Sequence, residues 1–176
     1  MNTAAGGRAE ASRRIRLSGV DWNAYRFRSI WRVDAAPRDT YTALEALEEY
    51  PYWWPEVREA RRCTEDAFEL RCRSLLPYDL DFVSRQARRD PEAGILEATL
   101  TGDLEGFSRW TIHTGLAKTV ALFEEEVLAN KSLLHKLRYI ARPAFQANHA
   151  LMMRNGQRGL NTYLAGYRFG RAQEAT

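Results

Sequence analysis

Cysteine, histidine and long apolar segments are all scarce in this sequence, and each shortage excludes a class of protein. The two cysteines, Cys63 and Cys72, are too few for a disulfide framework, and we expect two reduced thiols in a cytoplasmic protein. The three histidines come from separate predicted elements without the spacing of metal ligands, so we expect no metal site. No apolar run approaches the roughly 20 residues that span a bilayer, so we expect no membrane span.

Positive and negative side chains nearly balance, so the net charge is small as well. Lysine and arginine number 26 and aspartate and glutamate 23, a formal net charge of +3. The arginines are scattered along the predicted strands, whereas a nucleic-acid-binding surface concentrates its cations on one helix, arm or face. We therefore expect no nucleic-acid partner. We also expect no cofactor, because no glycine-rich phosphate loop follows a predicted strand.

The length fits one domain with one core, and no internal repeat or linker indicates a second. Residues 1–20 contain few apolar side chains, which predicts a disordered or loosely attached tail. The folded domain is predicted over 21–168, with a flexible C-terminus over 169–176. Arg13-Arg14 is not followed by the apolar segment of an export signal.

Alternating side chains begin near Tyr25 and predict a long first strand that is apolar on one side. Its inward face is formed by Tyr25, Phe27, Ser29, Trp31 and Val33. A short helix over 38–47 then interrupts the strands. About six further strands follow, at 57–64, 68–76, 78–89, 95–101, 107–114 and 118–128. Their short turns require antiparallel neighbours.

The C-terminal third predicts a long helix that begins near Pro143, a residue suited to a first helical turn. A shorter helix is predicted before it, over 133–141. The buried stripe of the long helix is predicted from steps of three and four, at Phe145, His149, Met152, Gly156, Gly159 and Tyr163. Two glycines on this stripe cost roughly 1 kcal/mol each in helix propensity, which is tolerable if the helix backbone lies close to a neighbour. The predicted fold class is α+β, with a bent antiparallel sheet of about seven strands wrapped around the long C-terminal helix.

Residues 50–55 place three aromatic side chains between two prolines and predict a rigid turn or a one-turn helix. This segment could be a hydrophobic plug at one end of the sheet or a wall of a ligand pocket, and the two roles are compatible.

Five segments in this order and spacing resemble the polyketide cyclase/dehydrase branch of the START-like (SRPBCC, Bet v 1-like) superfamily. They are VDAAP at 33–37, YPYWWP at 50–55, LPY at 76–78, GDLEG at 102–106 before Arg109-Trp110, and ARPAF at 141–145 leading to Asn148-His149 and Gly159-Leu160. The resemblance covers about residues 23–165. It implies the helix-grip fold, in which a bent sheet grips the long helix around a cavity.

For function, the resemblance implies two alternatives with one pocket. The family's cyclases fold a poly-β-ketone in the cavity, where acid and base groups assist ring closure and loss of water. The alternative is a non-catalytic carrier or sensor of a lipid-like or hydrophobic ligand. A third, weaker idea is an interaction module that uses the tryptophan-rich edge. In each of the first two cases the partner is a hydrophobic small molecule, and the chain is expected to be a monomer or homodimer.

The family pattern also orients the last strand, so that Phe123, Glu125 and Val127 face the cavity. Proteins of this kind often carry a large aromatic residue where Glu125 stands, so we do not expect a purely apolar pocket. Glu125 and His149 are the predicted catalytic residues, although no catalytic motif of the family matches residue by residue. The competing hypothesis places Glu125 at the solvated rim and makes His149 structural. The predicted ligand-binding residues are Trp31, Trp54, Tyr78, Phe82, Trp110, Phe123, Phe145 and Met152.

Overall fold

Seven antiparallel strands form one sheet in the computed structural model, which describes residues 24–73, 79–130 and 142–174. The strands are β1 (Ala24–Val33), β2 (Val57–Arg62), β3 (Ala67–Arg73), β4 (Asp79–Asp90), β5 (Ile95–Gly102), β6 (Leu104–Thr114) and β7 (Thr119–Ala129). Their order across the sheet is β1-β7-β6-β5-β4-β3-β2. Strands β2 to β7 are therefore a meander, and β1 closes onto the last strand. This confirms the predicted sheet.

Three helices complete the described structure, and they are α1 (Pro37–Glu45), α2 (Tyr50–Trp53) and α3 (Arg142–Glu174), with a 3₁₀ turn at Leu47–Glu49. The 33 residues of α3 span about 50 Å. The helix continues past residue 168, where the domain was predicted to end. The flexibility expected for the two termini stays a prediction, and the helix expected over 133–141 lies outside the described residues.

The buried face of α3 is displaced slightly from the predicted stripe. Phe145 and Gly156 are buried as expected, whereas Gly159 is only partly buried. Leu160 and Leu164 were not on the predicted stripe and are 0% and 6% exposed. Steps of three and four are both compatible with 3.6 residues per turn, so the spacing alone leaves the centre of the face uncertain by one position.

Both glycines in the middle of α3 lie against tryptophans, namely Trp31 of strand β1, Trp53 of helix α2 and Trp54, which follows that helix. A methyl group at Gly156 would come within 2.6 Å of Trp54 and 2.8 Å of Trp31. A methyl group at Gly159 would overlap the backbone carbonyl of Trp53. The indole Nε1 of Trp54 donates a hydrogen bond to the carbonyl of Met152 on α3, at 3.1 Å. The expected close approach of the helix backbone is therefore present.

The outer face of the sheet carries arginine–carboxylate pairs between neighbouring strands. Arg28 lies 4.0 Å from Glu124, and Arg71 lies 2.8 Å from Asp81. Such exposed pairs each contribute little to stability. These pairs account for the scattered arginines of the sequence, because arginines on the strands stand opposite carboxylates of neighbouring strands.

The glycine contact leads to a stability prediction for Gly159→Ala. The added methyl group meets a backbone carbonyl that cannot rotate away, so we expect a loss of about 1–3 kcal/mol in unfolding free energy. Gly166→Ala is the matched control, because a methyl group there meets nothing within 4 Å. Alanine favours a helix over glycine, so Gly166→Ala should be neutral or stabilising by up to about 1 kcal/mol. Urea unfolding of the two variants measures both effects, and equal stabilities would contradict the close approach.

Candidate functional site

A cavity of about 180 Å³ lies between the inner face of the sheet and the N-terminal half of α3. Known small-molecule pockets usually enclose roughly 300–1,000 Å³. A cavity of about 150 Å³ is enough to hold benzene. The enclosed space in this conformation therefore suits a molecule of one or two rings.

The structure places most of the predicted ligand-binding residues in the cavity wall. Those that line it are Trp54, Phe82, Trp110, Phe123, Phe145 and Met152. Trp31 contributes no surface to the cavity, because it is 1% exposed and packs behind Trp54 and Trp110, with ring centroids 5.2 and 4.7 Å away. The close approach of Gly156 fills the space in front of it. Tyr78 lies outside the described residues.

Glu125 and His149 come together in the cavity wall. Alternation along β7 turns Glu125 inward with Phe123 and Val127, and its residue exposure is 8%. The distance from His149 Nε2 to Glu125 Oε2 is 3.3 Å. The competing hypothesis that Glu125 reaches the solvated rim is therefore wrong.

Aromatic side chains fix the plane of the His149 ring. The imidazole stacks on Phe27 with ring centroids 3.8 Å apart and an angle of 15° between the planes. Phe123 lies nearly parallel to it at 6.1 Å. Phe27 was missed as a site residue, although its place on the inward face of the first strand was predicted. The stacking leaves the edge of the imidazole, with its two nitrogens, as the polar part that can meet a partner.

A row of inward-facing residues extends from Glu125 across the sheet. Glu125 stands opposite Ser108 on β6, Ser108 opposite Ala98 on β5, and Ala98 opposite Gln86 on β4. Ser108, Ala98 and Gln86 all line the cavity. The serine was recognisable as an inward polar residue from alternation, whereas Gln86 was missed. Continuing the alternation of β4 from Phe82 through Ser84 would have found it.

A bulge in β4 brings a cation to the mouth of the cavity. The pairing of β4 with β5 shifts register between Gln86 and Arg88. Alternation from Arg85 would place Arg89 on the outer face, but the extra residue turns it inward, opposite Leu96. There Arg89 Nε lies 2.7 Å from Glu45 Oε1 on α1, and both residues line the cavity. A bulge leaves no mark in the alternation pattern, so the sequence did not reveal this ion pair.

Two ionisable groups in the cavity wall remain protonated at neutral pH. Burial raises the pKa of the Cys72 thiol to about 12, and the nearby charge of Glu125 adds to this effect. Burial also raises the pKa of the Tyr50 phenol, which donates a hydrogen bond to the carbonyl of Leu44 at 2.7 Å. Neither group is a nucleophile in this state.

Within the described ranges, no group of three or more histidine, cysteine, aspartate and glutamate side chains could hold a metal ion. The described part of the chain also contains no helix that is both long and apolar enough to cross a bilayer.

The thiols yield a second prediction. The exposed Cys63 should react with a thiol reagent such as Ellman's reagent in the native protein, whereas Cys72, which is buried and has a raised pKa, should not. We expect one reactive thiol in the native protein, two in denaturant, and none in native Cys63→Ser. A second fast-reacting thiol in the native protein at neutral pH would show that the wall at Cys72 is open.

No family model matches the sequence, and no curated protein matches it. Several solved structures share its fold. The Zhui aromatase/cyclase from Streptomyces sp. R1128 aligns with a TM-score of 0.65 and 11% identity over 80% of this chain and 93% of that chain. A START superfamily protein from Mycobacterium smegmatis aligns with a TM-score of 0.62 and 14% identity, over 86% and 99%.

The di-domain ARO/CYC BexL from the BE-7585A biosynthetic pathway gives a TM-score of 0.62 and 15% identity over 80% of this chain. This chain spans 50% of the length of BexL. The chain therefore has the START-like helix-grip fold that its sequence predicted. At these identities the likeness concerns the fold.

Proposed function

We propose that this chain is a polyketide cyclase/dehydrase-like protein. It binds a hydrophobic or aromatic small molecule in the cavity and catalyses proton transfer beside a carbonyl group of that molecule, the step that starts cyclisation and dehydration. The observation that carries the proposal is the Glu125–His149 pair in the wall of a mainly apolar cavity.

The energetics of this pair favour a catalytic role over a purely structural one. Moving a carboxylate and an imidazole out of water costs free energy, which their mutual attraction only partly returns. Apolar side chains of similar size would often stabilise a fold as well or better. A pocket made only to hold an apolar ligand has no need of this pair, whereas acid–base chemistry requires one.

The arrangement assigns a role to each member of the pair. Oxygen Oε1 of Glu125 removes a proton from the carbon next to a ligand carbonyl, and the electrons of that C–H bond move onto the carbonyl oxygen. His149, stacked on Phe27, carries a proton on each ring nitrogen in this step. Its Nε2–H donates to Oε2 of Glu125, and its Nδ1–H donates a hydrogen bond to the developing oxyanion. In a ring closure, the resulting carbon nucleophile attacks a second carbonyl, and the proton on Glu125 returns to the new alkoxide oxygen. Loss of water from that product completes a dehydration.

The fold supports this substrate class. The Zhui protein is an aromatase/cyclase with the same fold, and this chain also aligns with 50% of the di-domain ARO/CYC BexL. The cavity volume of about 180 Å³ limits the part of the ligand that is enclosed to one or two rings. The rest of a longer substrate would extend through the mouth near Arg89.

The catalytic proposal is tested with 2-tetralone, a two-ring ketone with acidic hydrogens beside its carbonyl. We expect the protein to accelerate exchange of these hydrogens with D₂O, followed by NMR. Glu125→Gln should lower the acceleration about 100-fold or more, the usual contribution of a positioned base. The affinity of the Glu125→Gln variant for 2-tetralone, measured by tryptophan fluorescence, should differ little from that of the wild type.

The matched control is Glu124→Gln, which makes the same change on the outer face of the same strand, where Glu124 pairs with Arg28. This variant should exchange like the wild type. His149→Leu should also slow exchange, because the oxyanion loses its hydrogen-bond donor. Equal rates for wild type and Glu125→Gln would overturn the catalytic role.

A specific observation favours the second candidate, a non-catalytic carrier or sensor. Most of the cavity wall is apolar, including Leu44, Leu70, Leu80 and Leu100. A protein that binds 2-tetralone but does not accelerate exchange would be assigned to this class. Native mass spectrometry of the protein purified from its own host would then identify a co-purified apolar ligand.

We also propose a cytoplasmic location and a monomeric or homodimeric state. Two free cysteines, one of them the exposed Cys63, support a reducing compartment.

A further inference from the structure

We infer that Ser84, Gln86 and Ser108 determine ligand specificity, by selecting a flat two-ring molecule with an oxygen at each end over an alkyl chain. One oxygen lies beside Ser108 and the Glu125–His149 pair, and the other lies beside Gln86 and Ser84. The inference rests on the proposed binding function and names the chemistry of the ligand that the same cavity accepts.

The three side chains have hydrogen-bonding capacity that the described residues leave unused. All three line the cavity, and no described residue makes a hydrogen bond to their side chains. Ser84 is only 5% exposed, and its neighbours across the strands are Phe68 and Leu100. Gln86 and Ser108 are half-buried, and all three side chains border the cavity, so a ligand that fills the cavity takes them out of contact with solvent. A polar group that loses solvent without gaining a partner costs roughly 1–3 kcal/mol. A ligand that brings polar atoms to these positions supplies that partner.

The sheet register sets the distance between the two ends. Ser108 on β6 and Gln86 on β4 both stand opposite Ala98 on the strand between them, so they are two strand intervals apart. Neighbouring strands are about 4.8 Å apart, which separates the two backbones by about 10 Å. Hydrogen bonds and the longer glutamine side chain take up part of this distance. The remainder suits two fused rings that lie across the strands.

The surface between the two ends is apolar. Ala98 offers only a methyl group there, and Leu100 lies beside it in the wall. A ring system can lie on this surface while its oxygens reach Ser108 on one side and Gln86 on the other. An alkyl chain would bury the same apolar surface but leave all three polar groups unpaired, which is how a binding site rejects an analogue that lacks a hydrogen-bonding group.

Arg89 lies at the mouth of the cavity and not beside the row formed by Ser84, Gln86 and Ser108. Its guanidinium is already engaged by Glu45, at 2.7 Å. The row of Ser84, Gln86 and Ser108 is neutral, so it suits hydroxyl and carbonyl oxygens better than a carboxylate. This charge pattern separates the predicted ligand from a fatty acid.

The test compares three probes by isothermal titration of the full chain: 2-tetralone, 6-hydroxy-2-tetralone and dodecanoate. The hydroxyl group of 6-hydroxy-2-tetralone lies at the opposite end from its ketone. We expect the wild type to bind this compound about five- to tenfold more tightly than 2-tetralone, and to bind dodecanoate most weakly. Gln86→Met keeps the length of the side chain and removes its polar atoms. It should abolish the preference for the hydroxyl compound while leaving the affinity for 2-tetralone nearly unchanged.

Two further variants test the same assignment in case Gln86→Met does not fold. Ser84→Ala should reduce the same preference by about two- to threefold. Ser108→Ala should weaken both ketones to a similar degree, because it acts at the end that they share. The matched control is Ser29→Ala, an inward-facing serine of β1 that does not line the cavity, and it should change neither affinity.

The binding and exchange results distinguish failure of the specificity assignment from failure of the proposed function. If 2-tetralone binds and exchanges but the hydroxyl compound gains nothing, or the gain survives in both Gln86→Met and Ser84→Ala, the specificity assignment is overturned and the catalytic proposal stands. Tighter binding of dodecanoate than of either ketone also overturns it, in favour of a lipid carrier. If neither ketone binds the wild type, both proposals fall.

Discussion

The close contact between the middle of α3 and the tryptophans beneath it is the constraint on which the interior depends. Gly156 and Gly159 let the helix backbone meet Trp53 and Trp54, and the Trp54 indole fixes the contact with a hydrogen bond to a helix carbonyl. The helix backbone and the tryptophans fill the interior at this contact. Toward the N-terminal half of α3 the inward residues are large, and the cavity lies among them. The same contact therefore anchors the helix and decides where the cavity ends.

The polar pair in that cavity connects the fold to the proposed chemistry. Strand alternation brings Glu125 inward from β7, and the helix brings His149 down onto the same spot, where Phe27 holds its ring. With side chains 10% and 16% exposed, the two groups interact largely out of contact with solvent. In such surroundings their attraction is stronger than in water, and so is the stabilisation of charge that develops on a bound ligand. A rigid, partly desolvated acid–base pair is what proton transfer beside a carbonyl requires.

The sequence predicted those features that depend on simple periodicity. Alternation over long strands placed Trp110 and Phe82 on the inner face, because one face of the sheet is turned toward the core. The inward direction of Phe123 and Glu125 needed the family pattern as well, since alternation in β7 was ambiguous on its own. Three features depended on tertiary detail that periodicity does not contain. The β4 bulge turned Arg89 inward, the close helix contact removed Trp31 from the cavity wall, and Leu160 took a buried place that the predicted stripe gave to Gly159.

The most direct measurement of the central claim is a crystal structure of the protein with 2-tetralone bound. If Glu125 and His149 form the reactive centre, the ketone oxygen will lie within hydrogen-bonding distance of His149. The carbon next to the carbonyl will then lie about 3–3.5 Å from a Glu125 oxygen, the separation of reacting atoms before proton transfer. A ligand bound with its ketone toward Arg89 at the mouth, or one seated outside the cavity, would contradict the account.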